Sequence, residues 1–342
     1  MKSCLFFFFY AHISLISLAQ QGDIANIAYQ SGLTEKQAGR HKVAYEQFRK
    51  ATTINPDHIE AQLELGMEAI ELRQYEIAKK AFQKVLENNS NDPRAIESLC
   101  NLYFWTRKWD EAIKYGLKTL ELKTGSRANY IVGKSYYEQE NFGQVFRYLD
   151  AAYKEEPQNA EIPFLFARSF VEMSNYKQAV KYYQEAIALD SSKVNWIYET
   201  ALAYSSIPDD KTAIIYFELA MAKGYKVDNG FIENLSNSYI VAGMPEKGIV
   251  MLQKLLELRP SDLELLNSMA DVYYKMGKFD DAITYWDKML YYDKENARPL
   301  YMIGMAFQKK GEAKKGQAIC DKAIELDPSL KIMRQEKKMQ GL

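Results

Sequence analysis

Chemistry at neutral pH needs a nucleophilic or titratable side chain held against others, and this chain offers few. Its 342 residues contain three histidines and three cysteines. His12 and Cys4 fall in an apolar amino-terminal run, which leaves His41, His58, Cys100 and Cys320. A Cys–His pair in reach of each other could form a nucleophile and its base. The doublets Asp209-Asp210 and Asp280-Asp281 could in principle supply the acid and base of glycoside hydrolysis. No CxxC, HExxH, GxxxxGK[ST] or GxSxG pattern is present, so metal-assisted hydrolysis, phosphate cradling and serine-hydrolase chemistry lack their short signatures. No metal, no cofactor and no catalytic residue is expected.

What positions these residues is a 34-residue period. Small residues recur at Gly32, Gly66, Cys100, Gly133, Ala167, Ala201, Ser236, Ala270 and Gly304. Twelve positions on stand Ala44, Ala78, Ala112, Val145, Ala179, Ala213, Gly248, Ala282 and Gly316, where two helices can approach closely. Three positions after the first column come Glu35, Ala69, Tyr103, Tyr136, Phe170, Tyr204, Tyr239, Tyr273 and Phe307, rings expected to fill the space between neighbouring pairs. Four after the second small column come Phe48, Phe82, Gly116, Leu149, Tyr183, Phe217, Leu252, Trp286 and Cys320. Offsets of three and four are helical. Pro56, Pro157, Pro260 and Pro328 end the second helix of their units, because proline lacks an amide hydrogen and disfavours helix in the residue before it. Gly116 and Cys320, at positions that are otherwise bulky, predict looser packing, and Lys223 to Gly230, with two glycines and no proline, is the expected kink.

This order of small, aromatic, small, bulky and proline resembles the tetratricopeptide repeat, most closely at Gly277 to Trp286, and specifically its exported bacterial type. The resemblance spans residues 25–330 in units 25–58, 59–92, 93–125, 126–159, 160–193, 194–228, 229–262, 263–296 and 297–330. It implies an all-α, right-handed superhelical solenoid of about nine helix-turn-helix repeats, with residues 331–342 as a C-terminal capping helix. In that register the two histidines and both Asp doublets fall in turns, where carboxylates favour the following helix N-terminus. Cys100 and Cys320 fall in core columns and in different repeats, so they are not expected to pair.

The resemblance also implies that the second, fifth, sixth, ninth, twelfth and thirteenth residues of each unit line a concave ligand face. In the third to fifth units these include Arg94, Asn101, Phe104, Trp105, Arg127, Tyr130, Lys134, Tyr137, Phe164 and Arg168, cations alternating with rings that suit an acidic or aromatic peptide. A secondary set is Glu233, Asn234, Asn237, Asn267 and Asp271, similar to the asparagine lining that long superhelical members use for peptide backbone. A carboxylate clamp is not supported, because Glu97 stands where a lysine is needed and Ile131 where an asparagine is.

Residues 1–19 read as a secretory signal peptide: Lys2, an apolar run to Leu18, then Ser17 and Ala19 as the small residues before a cut ahead of Gln20. No integral membrane span is then expected. With 44 basic against 45 acidic residues, neither nucleic acid nor an anionic membrane is suggested as a partner. The expected function is a non-catalytic scaffold that holds protein or peptide segments, exported to the periplasm or cell envelope and serving assembly or secretion. A carbohydrate-binding accessory role in polysaccharide synthesis or export competes with it, since the same rings could stack on sugars. Oligomeric state is not readable.

Overall fold

A computed structural model describes residues 22–125 and 127–331. The expected signal peptide, residues 1–19, and all but the first residue of the expected capping helix, residues 331–342, lie outside the described residues. Among the described residues there are eighteen α-helices, one 3-10 turn at Pro328–Leu330 and no strand. The chain divides into two compact units, the first ending at Ser169 and the second starting at Phe170.

In the first unit, α1 (22–37) pairs with α2 (His41–Ile54), α3 (Ile59–Glu71) with α4 (Tyr75–Asn88), α5 (Pro93–Trp105) with α6 (Trp109–Glu121), and α7 (Ala128–Glu138) with α8 (Phe142–Glu155). Helix α9 (Glu161–Glu172) carries the boundary. The second unit continues with α10 (Tyr176–Leu189), α11 (Val194–Ser206), α12 (Asp210–Ala222), α13 (Asn229–Val241), α14 (Pro245–Leu258), α15 (Leu263–Lys275), α16 (Phe279–Tyr292), α17 (Ala297–Lys309) and α18 (Ala313–Leu326). Consecutive helices pack on one another from α2 to α8 in the first unit and from α10 to α18 in the second, hairpin stacked on hairpin.

The small columns are where the helices of a hairpin meet. A Cβ built on Gly66 would lie 2.5 Å from Cε1 of Phe82, and one on Gly133 would lie 2.6 Å from Cδ2 of Leu149. The bulky partner is buried each time, Phe48, Phe82, Phe217 and Trp286 completely. The expected looseness at Gly116 and Cys320 is not found. Val132 fills the space beside Gly116, at 2.5 Å from a built Cβ, and Gly304 closes on Cys320, whose Sγ would stand 2.6 Å from its Cβ. Volume missing on one side of the contact is supplied from the other.

The aromatic column also behaves differently from expectation, because its rings lie within a hairpin and not only between neighbours. Tyr103 stacks on Tyr115, Tyr136 on Tyr148, Phe170 on Tyr182, Tyr204 on Tyr216 and Tyr273 on Tyr285, all with centroids 5.4–5.6 Å apart. Offset stacking of this kind adds about 0.5–1.5 kcal/mol per pair beyond burial.

The carbonyls of this same column close the inter-helix turns. Lys108 N–H donates to Tyr103 O at 2.9 Å and Arg107 N–H to Phe104 O at 3.1 Å, and Lys278 and Gly277 repeat the arrangement on Tyr273 and Tyr274. This double bond pattern requires a left-handed residue after the helix. Glycine fills it at Gly39, Gly243, Gly277 and Gly311, but Arg73, Arg107, Glu140 and Ser174 hold it with φ between 55° and 59°. A side chain there costs about 1 kcal/mol relative to glycine. Arg107→Gly is therefore expected to raise stability by somewhat under that amount, the gain being reduced by the freer unfolded chain, and Gly277→Ala to lower it by about 1 kcal/mol. Thermal unfolding of the two variants checks both signs. The segment from Lys223 to Gly230 holds the same kind of cap, with Gly224 at φ 90° and Tyr225 stacked on Tyr198 at 4.4 Å.

Candidate binding groove

The residues with chemical potential are occupied structurally. His41 starts α2 and its Nδ1 lies 2.8 Å from Oε2 of Glu68, a carboxylate only 1% exposed. His58 caps α3, its Nδ1 accepting from Ala61 N–H at 3.2 Å. Cys100 is buried, and desolvation together with the nearby Glu97 charge pushes its thiol up to about 12, away from the thiolate a nucleophile needs. Asp209 caps α12 through Thr212 N–H, and Asp280 pairs with Lys310. Among the described residues no cluster of three or more His, Cys, Asp or Glu side chains is placed to hold a metal ion, and no helix is long and apolar enough to cross a membrane.

One face of the first unit is different. Between α3 and α5 runs a groove with a cavity of about 410 Å³, walled by Glu60, Leu63, Glu64, Met67, Ile70 and Glu71 from α3 and by Arg94, Glu97, Ser98, Asn101 and Trp105 from α5. These are the second, fifth, sixth, ninth, twelfth and thirteenth residues of the unit starting at Ile59, and five of the same six in the next. Helical geometry puts such positions on one stripe. Trp105 is 58% exposed and Met67 46%, so the groove presents an open apolar floor. Arg94 spans the gap, its guanidinium donating to both oxygens of Glu60 at 2.8 and 3.0 Å.

Of the sequence-derived set, Arg94, Asn101 and Trp105 come together here, and the rest serve packing or ion pairs further along the first unit. Tyr130 does not present its ring: it is 2% exposed, packs edge-on against Phe104 at 6.1 Å and donates its hydroxyl to Glu161 at 2.6 Å. Lys134 also donates to Glu161. Arg127 lies over the Tyr130 ring at 4.9 Å with its Nε 3.6 Å from Glu156. Arg168 lies 5.9 Å from the Tyr137 ring and 5.8 Å from that of Phe164. The charges of Arg94, Arg127 and Lys134 are met by the chain's own carboxylates, Glu60, Glu156 and Glu161. Met67, Glu71 and Glu60 were missed because the sequence-derived set started at the third unit, although they obey the same register.

In the second unit, Glu233 pairs with Arg259 at 2.6 Å and Asn234 donates to Tyr198 at 3.0 Å. Asn267 donates to Asp271 and accepts from the indole of Trp286, so its amide is spent on the core. Burial raises the Asp271 carboxyl. Asn237 is exposed, and only Asn267 of this set borders the neighbouring cavity of about 310 Å³.

Antiparallel helical hairpins of uniform length, stacked through complementary small and large residues, define an all-α helical-repeat protein. The chain belongs to the tetratricopeptide-repeat family, whose models match residues 25–58, 63–127, 164–224 and 297–330. A model of subunit 3 of the anaphase-promoting complex, or cyclosome, matches residues 105–186. The chain is 36% identical over 89 residues to Hsp70-Hsp90 organizing protein 1 of Glycine max, a stretch that takes in 26% of this chain and 15% of that protein. Similar solved structures include YrrB, a TPR protein with an unusual peptide-binding site, at 23% identity, covering 56% of this chain and 97% of that one, with a TM-score of 0.44. The C-terminal part of a TPR repeat-containing protein from Cytophaga hutchinsonii is 15% identical, covering 79% and 97% of the two chains, with a TM-score of 0.49.

Proposed function

We propose that this chain is a non-catalytic scaffold that binds an extended protein segment in the α3–α5 groove and serves cell-envelope assembly or secretion. One observation carries the binding reading: an open trough whose floor displays Trp105 and Met67, while His41 is paired, His58 caps a helix and Cys100 is buried. A solvent-exposed indole beside a thioether, bordered by fixed polar groups, is what an inserted side chain of a partner needs. Membership of the repeat family supports the same role, and export is supported by the amino-terminal pattern of Lys2, apolar run, Ser17 and Ala19.

The test is affinity capture from the envelope fraction of the producing cell, with wild type and Trp105→Ala run side by side. A protein retained by wild type and lost by the variant is the expected result; retention indifferent to Trp105, or no protein retained, would sink the groove as the site. Export has its own measurement, amino-terminal sequencing of the native protein. A start at Gln20 is expected, and an intact Met1 would rule out cleavage.

A further inference from the structure

The charge of the groove defines its ligand more narrowly. Its walls carry four carboxylates, Glu60, Glu64, Glu71 and Glu97, against the single guanidinium of Arg94. Arg94 is committed to Glu60, and Glu64 is met by Lys36 from α1. Glu71 and Glu97 have no ion-pair partner among the described residues, and they stand on opposite walls with the apolar floor between them. Met67 holds its place there, with the Ser98 hydroxyl 3.9 Å from its sulfur across the groove.

We infer that the α3–α5 groove takes a basic peptide segment, one that seats a bulky aliphatic side chain between Met67 and Trp105 and sets lysine or arginine against Glu97 and Glu71. The inference rests on the groove reading proposed above and adds its ligand class. An acidic segment meets two uncompensated carboxylates and a guanidinium already satisfied, so like-charge contact works against it. A cation can also lie over the open face of Trp105, adding attraction that a carboxylate cannot.

The experiment is fluorescence anisotropy with two short labelled peptides, a Leu-Met core flanked on both sides by Lys and Arg, and its counterpart with every Lys and Arg replaced by Glu. Wild type, Trp105→Ala and Glu71→Lys/Glu97→Lys are compared, with circular dichroism and urea unfolding as folding controls, since all three positions are partly or fully open to solvent. The basic peptide is expected to bind wild type and to weaken as salt rises. The charge reversal is expected to weaken it about tenfold, and loss of the indole about thirtyfold. Equal or tighter binding of the acidic peptide, lost in Trp105→Ala, would overturn the basic-ligand assignment and leave the groove standing. Failure of both peptides, or binding unchanged in Trp105→Ala, would overturn the groove reading itself.

Discussion

Replacing Phe82 with alanine is expected to lower stability by about 3–5 kcal/mol, the range for emptying a fully buried aromatic site. The ring is completely buried and three of its carbons would lie within 3.0 Å of a Cβ on Gly66, so it is the contact at which α3 and α4 meet. Removing it opens the hairpin that supplies one wall of the groove, and neighbouring hairpins lose a rigid surface because stacked repeats depend on their neighbours. Urea unfolding followed by circular dichroism checks this as a fall in midpoint. Gly66→Ala fills the same contact from the other side and is expected to cost about 1–3 kcal/mol by overpacking. Combining Gly66→Ala with Phe82→Leu moves volume across the interface, as another hairpin does with Ser236 and Leu252. The pair should then cost less than the sum of its singles by about 0.5–3 kcal/mol. Strict additivity would show that the two positions are not complementary.

That complementarity explains why the helical repeat was legible in the sequence. Contacts inside a hairpin join residues sixteen apart, such as Gly66 and Phe82, and they recur in every unit, so their size pattern survives as columns. One column was overlooked: Tyr115, Tyr148, Tyr182, Tyr216 and Tyr285 are spaced as regularly as the rings they stack on. Gly116 misled because a residue in the next hairpin, Val132, fills its space, and such compensation is invisible when each unit is read alone. The groove followed the same register, and Glu60 and Arg94, one period apart at equivalent positions, could have been paired on that ground. Side-chain reach was not legible. Whether Lys134 faces solvent or folds onto Glu161 depends on rotamers and on the burial of Tyr130, which periodicity does not encode.

Removing Glu161 is expected to have the second large effect, because one carboxylate satisfies two groups. Tyr130 is buried with its hydroxyl on Glu161, and Lys134, itself 23% exposed, donates to the same side chain. Glu161→Ala leaves a buried hydroxyl without an acceptor and an ammonium without its anion, a loss of about 1–3 kcal/mol. Glu161→Gln keeps an acceptor for Tyr130 and should lose less. Burial acts to raise the Glu161 carboxyl, but the hydrogen bonds from Lys134 and Tyr130, with the charges of Lys134 and Arg127, outweigh it and hold the group below its ordinary range. A depressed carboxylate binds fewer protons folded than unfolded, so its contribution is full above the unfolded pKa of about 4.3 and disappears as pH falls through the folded value. The stability gap between wild type and Glu161→Gln should therefore be flat from about pH 7 to pH 5 and close below pH 4. At the alkaline end the sign reverses. Burial, followed by the bond to Glu161, raises the Tyr130 hydroxyl, so stability falls once pH passes the ordinary tyrosine value near 10, and Tyr130→Phe removes that part of the decline. Urea midpoints measured across both limbs separate the two groups: a Glu161→Gln gap that persists unchanged to pH 3 would mean that the charge of the carboxylate is not held by Lys134 and Tyr130.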